Sequence, residues 1–293
     1  MPKKSADRVL LNIISYVIVG FMAAMALLPF LLLVINSFAS EHSIIFNGYS
    51  FFPKQFSLEA YTQIFKNPQK MLRAYGVTIF VTAMGSAVSL FVSAMSAYVL
   101  CRKDVKYRNQ MAFFLYFTTI FSGGLLPYYL MVIRYYGLKN QIWILMLAPM
   151  FSVFNLLVLR SFIKDAIPDS LSESAKIDGA GDFSIFIRII LPLSKAGLAT
   201  IGLFTALGYW NDWWTPMMFI EKQELFPLQY TLYQILSSAR FATSMVSRAP
   251  NTNLPKESLK LAMTVVVTGP IVLLYPFLQK YFVKGITIGA VKG

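Results

Sequence analysis

Between residues 9 and 34 the chain reads VLLNIISYVIVGFMAAMALLPFLLLV, a stretch without a charged side chain. A helix needs about 20 residues to cross a hydrocarbon core of about 30 Å, so this stretch is long enough to span a membrane. Lys3, Lys4 and Arg8 precede it, as basic residues do in a signal peptide. The apolar run of a cleaved signal has only about 7 to 15 residues, and we therefore expect a retained first span.

Five further stretches share its length and its near lack of charge: residues 74–100, 109–133, 140–159, 196–220 and 261–279. Asp212 is the only charged residue in the six. Hydrophobic residues make up 57% of the chain and charged residues 13%, whereas soluble proteins have about 45 to 50% and about 25%. The sequence predicts an all-α polytopic membrane protein with six transmembrane helices. It excludes ordinary soluble enzymes and disordered chains.

The basic residues predict the orientation of these helices. The formal net charge is +13, and basic residues accumulate on the cytoplasmic side of membrane proteins. With a cytoplasmic N-terminus, 15 of the 26 Lys and Arg residues lie inside, four of them in the short loop CRKDVKYR at 101–108. We therefore expect both termini in the cytoplasm, and the charge needs no nucleic-acid partner. Residues 1–73 would hold the first helix and a long external loop, and residues 74–293 a five-helix core.

Several kinds of chemistry are excluded for this chain. The single cysteine, Cys101, cannot form an intrachain disulfide, and the single histidine, His42, cannot build a His-based metal site. The Gly-Lys pair of a Walker A loop does not occur in the sequence. We expect no catalytic residues, no metal site and no cofactor bound by this chain.

The loop at residues 160–195 reads RSFIKDAIPDSLSESAKIDGAGDFSIFIRIILPLSK and faces the cytoplasm in this orientation. It predicts two short helices separated by a glycine turn. Pro168 suits the first turn of a helix, and Gly179 suits the end of one. Apolar residues recur at helical spacing on both sides of the turn, at Leu171, Ala175, Ile177, Phe183, Phe186 and Ile190. Such an amphipathic pair would bury its apolar side against a partner.

The spacing within this loop resembles the EAA signature of membrane subunits of binding-protein-dependent ABC importers. Glu173, Ser174 and Ala175 are followed at the family's spacing by Gly179 and by residues 189–192, IILP. The one departure is Ser174 in place of an alanine. The stretches FSGGLLPYYL from Phe121, WNDWW from Trp210 and YPFLQKYFVKGITIGAVKG at the C-terminus resemble maltose-permease-like subunits. The similarity is greatest to lipoprotein-type polysaccharide permeases, and an importer of alginate-derived oligosaccharides is one candidate.

The resemblance implies a fold, partners and a mechanism. The fold would be that of a type I ABC importer permease in a bacterial inner membrane. The partners would be a homologous permease, forming a heterodimer, a homodimeric ATPase that binds ATP and Mg, an external solute-binding protein and an oligosaccharide substrate. A coupling helix would dock on the ATPase, with these residues at the contact: Glu173, Ser174, Ala175, Asp178, Gly179 and Ala180. The C-terminal tail, 284–293, resembles tails that reach the ATPase, although a frayed terminus is the alternative.

Candidate residues for the substrate path cluster around Asp212. An acidic residue inside a membrane commonly faces a cavity, but one near the outer end of a span can be solvated or paired. Aromatic rings can stack on sugars, whereas Trp is also enriched at membrane interfaces. We take as candidates Tyr209, Trp210, Asn211, Asp212, Trp213 and, from the preceding span, Asn155.

Residues 121–130 contain Gly123, Gly124 and Pro127 within the third span. Such a cluster bends or unwinds a helix, so these three residues are candidates for a gating hinge. Close helix packing through the two glycines is an equally simple interpretation.

Two rival functions stay open at this point. An ion-coupled carrier or channel would normally need more intramembrane acids than Asp212, and it would leave the loop at 160–195 unexplained. An ABC permease for an anionic or non-sugar cargo would differ only in the chemistry of its path.

Overall fold

The computed structural model describes the backbone of residues 6–245 and 256–290 and the side chains of residues 9–237 and 257–274. Within these ranges the chain is helical, and β-structure is confined to one isolated bridge between Ala39 and Phe56. The predicted all-α class is confirmed.

The α-helices fall into long apolar helices and short connecting ones. They are α1 (Ala6–Ser37), α2 (Glu41–Asn47), α3 (Glu59–Ile64), α4 (Pro68–Cys101), α5 (Arg108–Ile120), α6 (Leu125–Leu130), α7 (Ile142–Leu147), α8 (Val153–Ala166), α9 (Asp169–Ile177), α10 (Asp182–Ile185), α11 (Leu191–Leu193), α12 (Lys195–Trp210), α13 (Trp214–Phe219), α14 (Leu228–Met245) and α15 (Lys256–Ala290). Short π-helical segments follow α6 and α10, at Met131–Tyr135 and Phe186–Ile190.

The long helices supply the membrane crossings. Among the described residues, three are long and apolar enough to cross: Val9–Ser37, Pro68–Cys101 and Glu257–Leu274. Two bent pairs also qualify when each is one span: Arg108–Ile120 with Leu125–Tyr135, bent by 112°, and Asp182–Leu193 with Lys195–Trp210, bent by 81°. The structure therefore offers three to five crossings by length and composition, and the number six stays a prediction.

The apolar stretch at 140–159 is not one continuous helix. It is divided between α7 and α8, with residues 148–152 outside any helix. Pro149 contributes to the break because it lacks the N–H that would continue the helix, although Ala148 before it still has helical backbone, with φ −60° and ψ −48°.

Neighbouring helices supply partners for the backbone carbonyls at this break. The hydroxyl of Tyr209 donates to the Met146 carbonyl at 2.7 Å, and the hydroxyl of Ser89 donates to the Met150 carbonyl at 2.5 Å. Non-helical backbone at membrane depth is tolerated where protein satisfies its polar groups. The small polar residues of α4 and the last turn of α12 thus make the break possible.

By internal contacts the chain divides into two units, residues 1–68 with 234–269 and residues 69–233 with 270–293. In the first unit, the carboxylate of Glu41 accepts hydrogen bonds from the backbone N–H groups of Glu257 and Ser258, at 2.9 and 2.8 Å, and from the Ser258 hydroxyl at 2.9 Å. A carboxylate at a helix N-terminus satisfies free donors and is favoured by the helix dipole. The first residue of α2 therefore caps the start of α15.

The second unit has two buried apolar clusters. One is formed by Val81, Val132, Ile144, Leu145, Met146, Tyr209, Phe219, Ile220, Phe226 and Tyr230. The other, which we call the inner cluster, is formed by Ala94, Ala97, Tyr98, Leu159, Ile163, Ile167, Ile185, Phe186, Ile190 and Ile201. The inner cluster includes Ile167 before α9 and Ile185 after its turn, so it anchors both ends of residues 168–184, which we call the coupling segment after its predicted role.

Candidate functional site

Residues 169–190 of the predicted loop fold as the expected pair of short helices around a glycine turn, whereas residues 160–166 continue α8 and so lie outside the loop. The first is α9, and the second runs from α10 through the π-helical segment to Ile190. Pro168 is extended, with φ −61° and ψ 138°, and so precedes the first helical residue instead of occupying it. Ile167 is 5% exposed and Ile185 1% exposed. The segment between them projects from this buried base.

The turn after α9 ends the helix with a Schellman motif. The N–H of Ala180 donates to the Ala175 carbonyl at 2.9 Å, and the N–H of Gly179 donates to the Lys176 carbonyl at 3.0 Å. Gly179 has φ +80°, in the left-handed region where residues with a Cβ are strained. The glycine of the signature is therefore required by the shape of the turn.

The six predicted coupling residues divide into an outer and an inner set. Glu173, Ser174, Asp178 and Gly179 are exposed, whereas Ala175 and Ala180 pack against the inner cluster. The two alanines are the third residue from the end of α9 and the third residue after it, a pair that is commonly in apolar contact in this motif. They thus fix the segment to the second unit, and the other four face outward.

Three large apolar side chains are exposed beside this outer set. Ile177 is 87% exposed, Phe183 61% and Leu171 42%. All five residues were recognised as apolar in the sequence, but only the structure shows that Phe186 and Ile190 are buried while the described residues leave these three uncovered. Exposed apolar groups beside charged ones are typical of a protein interface.

A ring of alternating charges joins α9 to the loop after α4. Arg102 forms an ion pair with Asp104 and, at 2.7 Å, with Asp182; Lys176 lies 2.5 Å from Asp104 and 3.7 Å from Asp182. We call these four residues the charge ring. The hydrogen bonds from Arg102 and Lys176 hold the pKa of Asp104 well below its usual value. The hydrogen bond to Asp104 raises the pKa of Lys176, so Asp104 and Lys176 both stay charged near neutral pH.

The predicted hinge residues lie at a sharp change of direction. Residues 121–124 separate α5 from α6, and the two helices meet at 112°. Gly124 has φ +89°, and its N–H donates to the Ser122 hydroxyl at 3.2 Å. Pro127 follows in the first turn of α6. Gly124 therefore allows the sharp bend between α5 and α6. That this bend acts as a gating hinge stays a prediction.

The path candidates are brought to the end of α12, but their environments differ. Tyr209 is 4% exposed and Trp210 6% exposed, and the Tyr209 hydroxyl is bonded to Met146. Asn211 is exposed, and Trp213 is 38% exposed and stacks on Tyr233 with 4.6 Å between ring centroids. The exposed pair is accessible to a solute in this conformation.

Asp212 forms the cap of α13. Its Oδ1 accepts hydrogen bonds from the N–H groups of Trp214 and Thr215, each at 3.0 Å. This local role was missing from the sequence interpretation, although an Asp two residues before a helix is a common N-terminal signal. Asn155 lies farther along the fold and donates to the Thr205 hydroxyl at 3.4 Å, between α8 and α12.

The predicted tail, 284–293, is described only in part. α15 continues to Ala290, while residues 291–293 and the side chains beyond Leu274 lie outside the described residues. The contact expected between this tail and an ATPase stays a prediction.

Comparison with known proteins supports the fold and gives the family of this chain. Residues 75–288 match the family model described as "Binding-protein-dependent transport system inner membrane component". Protein LplC of Bacillus subtilis (strain 168) is 39% identical over 293 residues, covering 100% of this chain and 98% of LplC. The polygalacturonan/rhamnogalacturonan transport system permease protein YtcP of the same organism is 39% identical over 286 residues, covering 96% of this chain and 99% of YtcP.

A solved structure has the same fold. It is a chain of a bacterial ABC transporter involved in the import of the acidic polysaccharide alginate, with a TM-score of 0.79 and 27% identity. The match covers 96% of this chain and 100% of that chain. The expected permease fold is confirmed.

Proposed function

Because the chain belongs to the family of binding-protein-dependent transport system inner membrane components, we propose that it is the permease subunit of an ATP-driven importer for an acidic oligosaccharide or polysaccharide. An external solute-binding protein would deliver the cargo, and a second, homologous permease would complete the path. ATP hydrolysis would take place on two copies of a partner ATPase. The chain would cross a bacterial inner membrane with both termini in the cytoplasm.

The observation that carries this proposal is the outward face of α9 and its turn. Ile177, Leu171 and Phe183 are exposed beside Glu173 and Asp178, on a capped helix anchored to the inner cluster. A rigid helix with an uncovered apolar face can dock in a cleft and transmit its movement. Closure of the ATPase dimer would then turn the helices from an inward-facing to an outward-facing state.

The relatives support the class of cargo. YtcP is named for polygalacturonan and rhamnogalacturonan, and the solved transporter for alginate. These polymers contain uronic acids and are therefore anionic. In this chain the cation of Lys139 forms an ion pair with Glu221 at 2.7 Å, so the positive charge of Lys139 is only partly available to an anionic cargo in this conformation. We propose that Asn211 and Trp213 contact the cargo, through hydrogen bonds to hydroxyls and stacking on a sugar ring.

Docking is tested by a change at the most exposed apolar residue of the site. Ile177→Asp leaves the interior intact, and we expect it to remove the ATPase from the complex purified through the tagged permease. Ile45→Asp is the matched control, because Ile45 is 62% exposed on α2, which we place outside the membrane. Retention of the ATPase by Ile177→Asp at the level of the control would contradict the proposed docking face.

The composition and the cargo need two further measurements. Native mass spectrometry of the purified complex should show this chain, a second permease of similar size and two ATPase copies. Cells lacking the chain should lose uptake of a labelled galacturonate oligomer and keep uptake of a neutral oligosaccharide of equal length. Normal uptake of the acidic oligomer by these cells would contradict the proposed cargo. The masses measured for the purified complex would still test the proposed subunit composition.

A further inference from the structure

We infer that the charge ring of Arg102, Asp104, Lys176 and Asp182 positions the coupling segment, so that α9 moves as one body with the cytoplasmic end of α4. This inference rests on the proposed function, because it assigns these residues to the transmission of force between the ATPase and the path. The four residues would act through α9 and would not touch ATP or cargo.

The ring is needed because, within the described part of the chain, α9 has few contacts besides the ring and the exposed ion pair of Asp169 with Lys103. It contains nine residues, none of them buried, and a helix of this length is not stable alone. Ala175 is its one residue that packs against the inner cluster. Anchors at Ile167 and Ile185 fix the ends of the segment but leave its tilt free to change. Bonds between the middle of the segment and a neighbouring helix would remove that freedom.

The ring supplies such bonds from three separate parts of the chain. Arg102 and Asp104 belong to the loop that follows α4 directly, Lys176 lies in the last turn of α9, and Asp182 begins α10. Each cation contacts both anions, so no member can leave without breaking two ion pairs. A movement of the loop relative to the segment would therefore break the two ion pairs that cross between them, Arg102–Asp182 and Lys176–Asp104.

Burial separates Arg102 from ordinary surface pairs, whereas Lys176, Asp104 and Asp182 are 39%, 48% and 56% exposed. The side chain of Arg102 is only 16% exposed, whereas the nearby pair of Lys103 and Asp169 is 75% and 54% exposed. Exposed pairs contribute little because water screens them and their side chains lose freedom. A guanidinium that is largely removed from water and bonded to two carboxylates holds a more defined geometry.

The test measures cargo transported per ATP hydrolysed by the whole complex in liposomes. Lys176→Met keeps the length of the side chain and removes its charge, and we expect the ratio to fall at least about threefold while the ATPase stays bound and active. Lys176→Arg should restore the ratio because it restores the cation. Lys106→Met is the matched control, since Lys106 lies in the same loop as Arg102 and Asp104, is exposed and is not in the ring.

Asp104→Asn extends the test to the other side of the ring. It alters no residue of the docking segment, so the inference requires the same fall in the ratio. The fall in the double variant with Lys176→Met should be smaller than the product of the two single falls, because the two changes share the Lys176–Asp104 pair.

The outcomes separate the inference from the proposed function. If Lys176→Met transports as much cargo per ATP as the wild type, the positioning role is overturned. If Lys176→Met instead loses the ATPase, Asp104→Asn decides, and a wild-type amount of cargo per ATP in Asp104→Asn overturns the role. A wild-type complex that neither binds an ATPase nor transports in response to ATP would instead overturn the proposed function.

Discussion

Substitution of Gly179 tests whether the coupling segment depends on the shape of its turn. Gly179 has φ +80°, and a Cβ added there would have no heavy atom within 4 Å apart from its own neighbours in the chain. The cost of Gly179→Ala is therefore conformational and not steric. Left-handed backbone costs a residue with a Cβ about 1 to 2 kcal/mol. That cost would lower the equilibrium ratio of molecules with the turn formed to molecules without it by a factor of about 5 to 30.

The choice of substituent separates two reasons for a glycine. If the left-handed turn is the reason, Gly179→Asn should transport better than Gly179→Ala, because Asn tolerates this region more readily than Ala. If the partner ATPase needs empty space there, the larger Asn should be worse than Ala. Gly179→Asp has nearly the size of Asn but adds a negative charge beside Asp178, so we expect the lowest uptake from it.

The assay is ATP-dependent uptake, normalised to the amount of complex that carries the ATPase. We expect the order wild type, Asn, Ala, Asp. Wild-type uptake by Gly179→Ala would refute the need for the turn, and the order Ala above Asn would refute the conformational explanation.

Three further predictions concern the path, the core and the charge ring. Asp212→Asn keeps the side-chain oxygen that caps α13, so uptake should stay near wild type and Asp212→Ala should reduce it; equal loss in both would show that the charge itself is needed. Gly85→Ala would place a Cβ 2.6 Å from the Tyr209 ring, so we expect this variant to be less stable by about 1 to 3 kcal/mol and to melt at a lower temperature than the wild type. Gly76→Ala has no neighbour within 4 Å of the new Cβ and should not destabilise the protein. Equal melting temperatures for the two variants would contradict the packing of Gly85 against Tyr209. Because the pKa of Asp104 is lowered, the ion pairs of Asp104 stabilise the protein fully above about pH 4; because the pKa of Lys176 is raised, those of Lys176 do so below about pH 10. The rate of uptake by the wild type divided by that of Asp104→Asn should therefore stay constant between about pH 5.5 and pH 8.5. A change in this ratio inside that range would contradict the role of the charge ring.

The parts of the fold that local sequence determines were predictable. The uncharged stretches of α1 and α4 are long enough to identify spans without any knowledge of their neighbours. The turn at Gly179 was predictable as well, because a glycine after a short amphipathic helix is a local signal. Pro149 carried a similar signal for the break between α7 and α8, which length and hydropathy alone concealed.

The contacts that build the site depend on chain segments far apart in sequence. Asp104 and Lys176 are separated by 72 residues, and Glu41 and Ser258 by 217. Composition cannot show which of the charges in two loops will meet. For the same reason, Tyr209 was grouped with accessible path residues, although the structure buries it. Its sequence neighbours do not reveal the Met146 carbonyl that it satisfies.

The central claim is that this chain carries cargo inward only when a partner ATPase works. The most direct test is to reconstitute the purified complex in liposomes, with ATP on the ATPase side and the loaded binding protein on the other. We predict accumulation of a galacturonate oligomer that requires both ATP and the binding protein and is lost with Ile177→Asp. Flux without ATP, driven by an ion gradient or simply running down the cargo gradient, would contradict the claim and identify a carrier or channel.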